Sequence, residues 1–282
     1  MTLWRTLGAV APARLADARL QLHHAAQVVA SAGITWLSPQ PDDSHPNMGW
    51  EHERHMLVGR ALPRDGARVG LCVPDLSLAI VDSKGREADR LRLDDTTLED
   101  AYVWLEESAV AHGVPVPDAG VARSPYDLPT HAVADGEVFS IADDGAALEE
   151  LARWFANGFD VLAPLATRVG ADAVRVWPHH FDAGSLIALE TDARGRLVKS
   201  VGFGLSPGDA YYQEPYFYVS PWPYPPAADL PALELGHWHT DAFTGAILTG
   251  TELLRGAPEH QRRRAADFLD HAFDAGRSLL RG

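Results

Sequence analysis

Apolar residues recur at intervals of three and four in several stretches of the chain, and this spacing is typical of helices that bury one face. Glycine follows the first stretch and is a common residue at a helix end, so Gly33 is predicted to close that helix. His24 points away from the apolar stripe of this helix and is expected at the surface. The predicted helices cover residues 11–32, 96–112, 146–168, 240–254 and 258–280.

Capping and breaking residues set the expected limits of these helices. Thr96 and Glu99 have the spacing of a capping box at the start of the second helix. Asn157 with Gly158, followed by Pro164, should bend or end the third helix.

Two other stretches alternate like strands and turn like hairpins. SLAIV at 77–81 leads into Asp82 and Gly85, and SLIAL at 185–189 leads into Asp192 and Gly195. Both hairpins read D-x-x-G-R at the turn, and they lie about 110 residues apart, which suggests an internal duplication.

The pattern predicts an α+β protein with mainly antiparallel sheet packed against helices. Its two similar helix plus β-hairpin halves would cover residues 1–113 and 144–282, and the second half would carry the site. Residues 114–143 are rich in proline and glycine and are predicted to link the halves, although SPYDLPTH within them is unusually specific for a spacer.

Charge and cysteine content narrow the classes of function. The chain has 24 Lys and Arg against 39 Asp and Glu, a formal charge of −15, which argues against nucleic acid or an anionic membrane as partner. A single cysteine, Cys72, lies in a predicted buried strand, so no internal disulfide forms and a reducing cytoplasm fits. No stretch approaches the roughly 20 apolar residues that span a bilayer. We expect a cytoplasmic protein with a small-molecule ligand.

Candidate functional residues are most concentrated between Val174 and Tyr224, where a histidine pair, several acids and an aromatic tract follow one another. Downstream, His237 and His239 are separated by one residue, so in an extended strand both rings point to the same side. Three histidine or carboxylate ligands can hold a catalytic divalent metal, zinc or iron, and leave a position for water or substrate. The predicted metal ligands are His179, His180, Asp182, His237 and His239.

The remaining candidates surround this predicted metal. Asp209 or Glu214 would act as general base. The predicted substrate-binding residues are His23, Gln27, Trp50, Trp177, Tyr212 and Tyr216. The best hypothesis is a metal-dependent, hydrolase-like enzyme that acts on a small polar molecule. The alternative is a non-catalytic protein that binds a small molecule or carbohydrate in an aromatic-lined pocket, with the same aromatic residues also able to serve as core.

Two segments resemble known catalytic motifs but lack a feature that the motif requires. Gly204 to Gly208 match the G-x-S-x-G elbow of serine hydrolases, but the oxyanion hole needs the backbone N–H after the serine, and Pro207 has none. His52 and His55 resemble the zinc-binding HExxH motif but are three residues apart rather than four.

Six blocks of the sequence resemble an uncharacterised bacterial family of conserved hypothetical proteins: ARLQLHHAAQ, DDSHPNMGW, SPYDLPTH, VWPHHFD, GFGLSPGD and EPYFYVSPWP. The resemblance covers most of the chain and implies that the blocks form one site. The candidates that it implies are His23, Gln27, Asp43, His45, Trp50, His179, His180, Asp182, Asp209 and Glu214.

Overall fold

The computed structural model describes residues 4–63 and 66–281, and the chain divides into two compact units. The N-terminal unit contains Leu15–Ala152 and Val176–Phe181. The C-terminal unit contains the chain up to Arg14, then Arg153–Arg175 and the residues from Asp182 onward. These bounds differ from the predicted halves, and residues 114–143, predicted as a linker, belong to the N-terminal unit.

The N-terminal unit contains two complete helices and a five-stranded antiparallel sheet whose strands are ordered as they occur in the chain. Helix α1 packs on the third strand and on α2. Strand β4, which lies between β3 and β5, is fully buried because its SLAIV run is largely apolar on both faces. The elements are α1 (Ala16–Trp36), β1 (Gly49–Glu51), β2 (Met56–Val58), β3 (Arg68–Cys72), β4 (Ser77–Val81), β5 (Glu87–Arg92) and α2 (Leu98–Ala111).

Helix α1 is buried on nearly all sides, and two predictions about it are wrong. The helix continues three residues past Gly33, because that glycine serves close packing rather than a helix end. A Cβ atom there would lie 2.6 Å from the carbonyl oxygen of His45. His24 is 2% exposed rather than at the surface, since the segment around Pro129 covers that face of the helix.

The start of α2 confirms a capping box, but one residue later than predicted. Thr97 accepts a hydrogen bond from the backbone N–H of Asp100, and the Asp100 carboxylate accepts one from the backbone N–H of Thr97. Acidic residues in this first turn also suit the positive end of the helix dipole.

The C-terminal unit contains an antiparallel sheet in the order β10, β11, β9, β8, β7. Two of the three residues of β6, Val176 and Trp177, belong to the N-terminal unit. Helix α5 packs on β8 and β9 through Phe268 and Phe273. Helix α3 begins in the N-terminal unit and continues into this one. The elements are α3 (Gly145–Val169), β6 (Arg175–Trp177), β7 (Asp182–Thr191), β8 (Leu197–Ser206), β9 (Tyr216–Trp222), β10 (His237–His239), β11 (Gly245–Thr249), α4 (Gly250–Leu253) and α5 (Gln261–Leu279).

Two helix predictions concern the C-terminal half of the sequence. Helix α3 runs through Asn157, Gly158 and Pro164, so these residues do not end it, and a bend there stays a prediction. The predicted helix over 240–254 is wrong for most of its length, because the buried run GAILT forms strand β11, which pairs with β9 and β10, and only the four residues after it are helical. A short apolar run does not by itself distinguish a buried strand from a buried helix.

The two predicted hairpins are confirmed and share one turn geometry. Asp82 and Asp192 each accept hydrogen bonds from the backbone N–H groups two and four residues ahead, and each is followed by a glycine with φ of 76° or 75°. The surroundings differ, since a helix follows the first hairpin and strand β9 follows the second. The internal duplication therefore stays a prediction. Among the helices formed by the described residues, none offers an apolar run sufficient to traverse a bilayer.

Candidate functional site

The predicted site residues are divided between the two units. The N-terminal unit holds His23, Gln27, Trp50, Trp177, His179 and His180. The C-terminal unit holds Asp182, Asp209, Tyr212, Glu214, Tyr216, His237 and His239. Over residues 4–63 and 66–281, no three His, Cys, Asp or Glu side chains are grouped as a metal site would require.

The blocks of the family resemblance divide in the same way, and those in the N-terminal unit contact one another. The Tyr126 hydroxyl donates to the Asp43 carboxylate at 2.7 Å. Met48 and Val176 exchange backbone hydrogen bonds of 3.0 and 2.8 Å. Four of the six blocks therefore meet around α1.

A tight turn at residues 178–181 brings a carbonyl group against α1. Phe181 has φ of 57°, and its N–H donates to the Trp177 carbonyl at 2.7 Å. The turn presents the Pro178 carbonyl oxygen to the Nε2 atoms of His23 and Gln27, each at 2.9 Å. His23 and Gln27, which were predicted to bind substrate, therefore hold this turn against helix α1.

His23 is a buried and neutral histidine. It is 5% exposed, and its ring stacks on Phe181 with centroids 5.1 Å apart. Burial lowers the pKa of His23 to about 4, and the hydrogen bond to the Pro178 carbonyl offsets only part of this effect. The neutral ring must carry its proton on Nε2, because a carbonyl oxygen only accepts.

The other aromatic candidates of this unit, Trp50 and Trp177, contact histidine rings. His179 and His180 lie side by side, with ring centroids 4.3 Å apart, and Tyr126 approaches His179 at 5.5 Å. Trp50 stacks on His55 with an interplanar angle of 4°. Within this unit the predicted ligand pair is part of an aromatic cluster.

A cleft of about 810 Å³ opens beside this cluster, entirely within the N-terminal unit. One side is formed by α1 and the start of α2, and the other by the segment from Arg123 to Gly136 that sequence alone suggested was a linker. The residues that line it are His24, Gln27, Thr97, Leu98, Glu99, Tyr102, Arg123, Ser124, Tyr126, Leu128, Pro129, Thr130, Val133, Ala134, Asp135 and Gly136.

Arg123 is the one cationic side chain of the cleft lining. Its guanidinium lies over the ring of Tyr102, 3.5 Å from the centroid, where the π-face attracts a cation. Nη2 donates to both carboxylate oxygens of Glu99 at 2.7 Å. The Nε and Nη1 donors make no hydrogen bond to any described residue, so three N–H groups remain for a bound acceptor.

His24 contributes an unsatisfied polar atom to the cleft wall. Its Nε2 lies 2.9 Å from the Pro129 carbonyl and therefore carries the proton. Nδ1 is then a lone-pair acceptor, and it is buried with no partner in the described chain. Burial lowers the pKa of His24, so the ring is neutral at pH 7. An unpaired buried acceptor costs about 1–3 kcal/mol.

In the C-terminal unit, the prediction that His237 and His239 face the same side of a strand is confirmed. They are the first and last residues of β10, so period-two alternation turns both rings the same way. The Tyr212 hydroxyl oxygen lies 3.0 Å from Nε2 of His237 and 3.0 Å from Nδ1 of His239. We call these three residues the Tyr-His-His cluster.

The outer nitrogen of each ring in the Tyr-His-His cluster has an acceptor beside it. Nε2 of His239 lies 2.6 Å from the Asp241 carbonyl oxygen, so that nitrogen is protonated and Nδ1 presents a lone pair to Tyr212. Nδ1 of His237 lies 3.7 Å from the Glu252 carboxylate. Burial, with the nearby charges of Asp209 and Glu252, raises the pKa of Tyr212.

The two predicted general bases both hold local structure. Asp209 accepts hydrogen bonds from the backbone N–H groups of Tyr211 and Tyr212, at 2.8 and 2.9 Å, and from the Tyr216 hydroxyl at 2.6 Å. Glu214 accepts from the backbone N–H and hydroxyl of Thr251, at 2.6 and 2.7 Å, at the start of α4. Asp209 therefore positions the loop that carries Tyr212.

Asp182, a predicted metal ligand, accepts a hydrogen bond from the Tyr218 hydroxyl inside the sheet. Burial and this neighbouring carboxylate raise the pKa of Tyr218 well above its ordinary value. Tyr218 is therefore a neutral donor at pH 7, and it occupies one lone pair of the carboxylate.

Sequence reasoning missed several residues that the structure places at these sites. Tyr102, Arg123, Ser124 and Tyr126 line the cleft, and Glu252 lies beside His237. The unusual block SPYDLPTH was the available signal for the cleft, because a spacer has no need of two aromatic or imidazole side chains.

Comparison of the chain with protein-family models, with curated proteins and with solved structures finds no match.

Proposed function

We propose that the N-terminal unit binds a small polar molecule in the cleft lined by Arg123 and His24. The observation that carries this proposal is the cleft itself, whose volume of about 810 Å³ suits a small-molecule ligand. A few convergent polar groups among apolar side chains are the usual composition of such sites.

The polar residues of the lining favour a ligand with an acidic or carbonyl group. The Nε and Nη1 donors of Arg123 are not used by Glu99, and each can donate a charge-assisted hydrogen bond to a ligand carboxylate. The face of Tyr102 beneath it keeps the cation in place. A ligand carboxylate would be recognised there by charge-assisted hydrogen bonds, which contribute about 1.5–3 kcal/mol each.

The apolar part of the lining favours a ligand that also has an apolar or ring-shaped body. Leu128, Pro129 and Val133 supply aliphatic surface, and the Tyr126 ring supplies an aromatic face. Ser124 places a hydroxyl between them, already bonded to Gln27 at 2.7 Å. A small carboxylic acid with a ring, such as a sugar acid or an aromatic acid, matches both the polar and the apolar residues of the lining.

Substitution of Arg123 tests the binding proposal. A library of small carboxylic acids and sugars is screened by ligand-observed NMR, and affinities of hits are measured by calorimetry. Arg123→Ala is expected to weaken binding of an acidic hit at least tenfold, because 1.4 kcal/mol corresponds to a factor of ten. Arg86→Ala removes an exposed arginine of the same unit, one that pairs with Asp82 in a turn, and should leave the affinity unchanged. Equal affinities for the parent and the Arg123 variant would argue against the cleft.

A second candidate is the metal-dependent hydrolase expected from the sequence. The observation that favours it is the convergence of two imidazoles on one oxygen atom in the Tyr-His-His cluster. A divalent cation there would supply Lewis-acid chemistry to an ester or phosphoester substrate.

The hydrolase candidate predicts turnover that depends on metal. Model aryl esters and phosphoesters are assayed with Zn²⁺ or Fe²⁺ on protein prepared without a His-tag. Hydrolysis should fall to the uncatalysed rate after chelation, and it should be lost in His239→Ala. A rate that persists in both preparations would exclude this mechanism.

A further inference from the structure

We propose that Tyr212, His237 and His239 form a three-ligand site for a divalent transition-metal cation, with Zn²⁺ as the test ion. The cation would lie among the Tyr212 hydroxyl oxygen, Nε2 of His237 and Nδ1 of His239. Imidazole nitrogen is a preferred donor for first-row transition metals, and a phenolate adds an anionic oxygen. This site goes beyond ligand binding in the cleft, and it needs no hydrolytic activity in order to exist.

The donor separations already approach those of a coordination shell. Ligands at about 2.0–2.1 Å from a metal, in tetrahedral to octahedral geometry, lie about 3–3.4 Å from one another. The Tyr212 oxygen is 3.0 Å from each of the two imidazole nitrogens. Small side-chain rotations therefore suffice to admit the ion.

Hydrogen counting shows why a cation suits the Tyr-His-His cluster. The Asp241 carbonyl fixes the proton of His239 on Nε2, which turns the lone pair of Nδ1 toward Tyr212. The negative charge of Glu252, 3.7 Å from Nδ1 of His237, favours the proton on that nitrogen, which turns a second lone pair toward the same hydroxyl. One phenol proton satisfies only one of these acceptors. A cation satisfies both nitrogens, and the displaced phenol proton passes to solvent.

The outer partners match those of histidine ligands in metal proteins. A metal-bound histidine commonly donates its other N–H to a carboxylate or a backbone carbonyl, which fixes the tautomer and orients the ring. His239 has the Asp241 carbonyl at hydrogen-bond distance in this position, and the Glu252 carboxylate lies 3.7 Å from Nδ1 of His237, which allows electrostatic attraction but not a hydrogen bond. Both acceptors are present in this chain on the side away from Tyr212.

Packing holds the donors in place before any ion binds. The His239 ring stacks on Phe243 with centroids 4.2 Å apart, and Tyr211 meets it edge-on at 5.2 Å. Asp209 fixes the backbone of the loop that carries Tyr212. Preorganised donors reduce the entropy lost on binding.

The surroundings favour positive charge and leave access from solvent. The carboxylates of Asp209 and Glu252 act on Tyr212 and make the local potential negative. The side chain of His237 is 45% exposed, so an ion can enter without opening the fold. Three protein ligands leave a further position for solvent or substrate, as in catalytic rather than structural zinc sites. The site would supply the cation that the hydrolase candidate requires.

Calorimetric titration of the full chain, prepared without a His-tag, with Zn²⁺ tests this assignment. We expect one Zn²⁺ per chain, at least tenfold weaker binding in His237→Ala and His239→Ala, and weaker binding in Tyr212→Phe. His271→Ala removes an exposed histidine of the same unit that lies 3.8 Å from a single carboxylate, and it should bind like the parent. Far-UV circular dichroism checks that each variant is folded.

Titration with Co²⁺ gives a second readout that depends on the ligand set. The visible absorption of bound Co²⁺ should change in Tyr212→Phe even where affinity is retained, because one oxygen ligand has been lost. Absence of Zn²⁺ binding by the parent, or a Co²⁺ spectrum and affinity that are identical in Tyr212→Phe and the parent, would overturn the three-ligand site. Zn²⁺ binding without hydrolysis of any ester would end the hydrolase candidate and leave the metal site standing.

Discussion

We expect acidification to lower the free energy of unfolding of the N-terminal unit by about 3 kcal/mol less in His23→Gln than in the parent. The pKa of His23 is lowered from 6.5 to about 4 by burial. Glutamine can still donate to the Pro178 carbonyl but has no proton to gain in this range. The variant loses the stacking on Phe181, so it starts somewhat less stable than the parent at pH 7.

The sign of this effect follows from proton binding in the two states. Between pH 6.5 and 4 the unfolded histidine is protonated while the folded one is not, so the unfolded state binds more protons. The free energy of unfolding therefore falls as the pH falls through this range. Because His23 is only 5% exposed, the full shift applies, and the loss reaches about 3 kcal/mol near pH 4.

Asp144 provides a control of opposite sign in the same unit. Burial and the neighbouring Asp17 raise the pKa of Asp144 to about 6 from 3.8. The folded state binds more protons over this interval, so Asp144 contributes stability at low pH that is lost as the pH rises through 6. Asp144→Asn should make the parent's decline on acidification steeper, whereas His23→Gln should make it shallower.

Urea unfolding at pH 4, 5, 6 and 7, followed by circular dichroism, measures these slopes. The useful quantity is the difference between variant and parent at each pH, since other carboxylates contribute equally to both. Parallel curves for the parent and His23→Gln would mean that His23 is protonated in the folded state at pH 4 or accessible to water.

Gly33→Ala is expected to destabilise the N-terminal unit by about 2–3 kcal/mol, against the usual preference of helices for alanine. In an open helix this substitution gains about 1 kcal/mol. Here the new Cβ would lie 2.6 Å from the carbonyl oxygen of His45 and 2.8 Å from Cα of Pro46. Both are backbone atoms, so the loop must move, and such overpacking costs about 1–3 kcal/mol or more.

Gly145→Ala is the matched control for this substitution. Gly145 is also helical and lies in the same unit, but a Cβ there would have no neighbour within 4 Å. Thermal unfolding should place Gly33→Ala well below the parent and Gly145→Ala at or slightly above it. Equal midpoints for the two variants would show that the loop at His45 yields freely.

Sequence reasoning succeeded where the determining interactions are local. The D-x-x-G-R turns at Asp82 and Asp192 set both hairpins within five residues, so their strands and the α+β class follow from the pattern. Sequence reasoning failed where packing between segments distant in sequence determines the local structure. Gly33 resembles a helix end because the loop that approaches it is unknown, and GAILT resembles helix because its pairing strands are distant in sequence.

The same division applies to the candidate sites. Period two was enough to place His237 and His239 on one side of β10. Their shared partner, Tyr212, lies 25 residues from one and 27 from the other, beyond any local pattern. The cleft was missed because Arg123 reaches Tyr102 only after the supposed linker has folded back on α1 and α2.

The interleaved course of the chain means that no single cut releases either unit as an intact fragment. A polypeptide ending at Ala152 would lack the Pro178 carbonyl that receives His23 and Gln27. One beginning at Arg153 would lack Leu7, whose backbone satisfies the buried amide of Gln261. On the ribosome, the N-terminal unit can complete its fold only after synthesis has passed Phe181. The C-terminal unit can complete its fold only when the last helix has emerged to meet the residues up to Arg14.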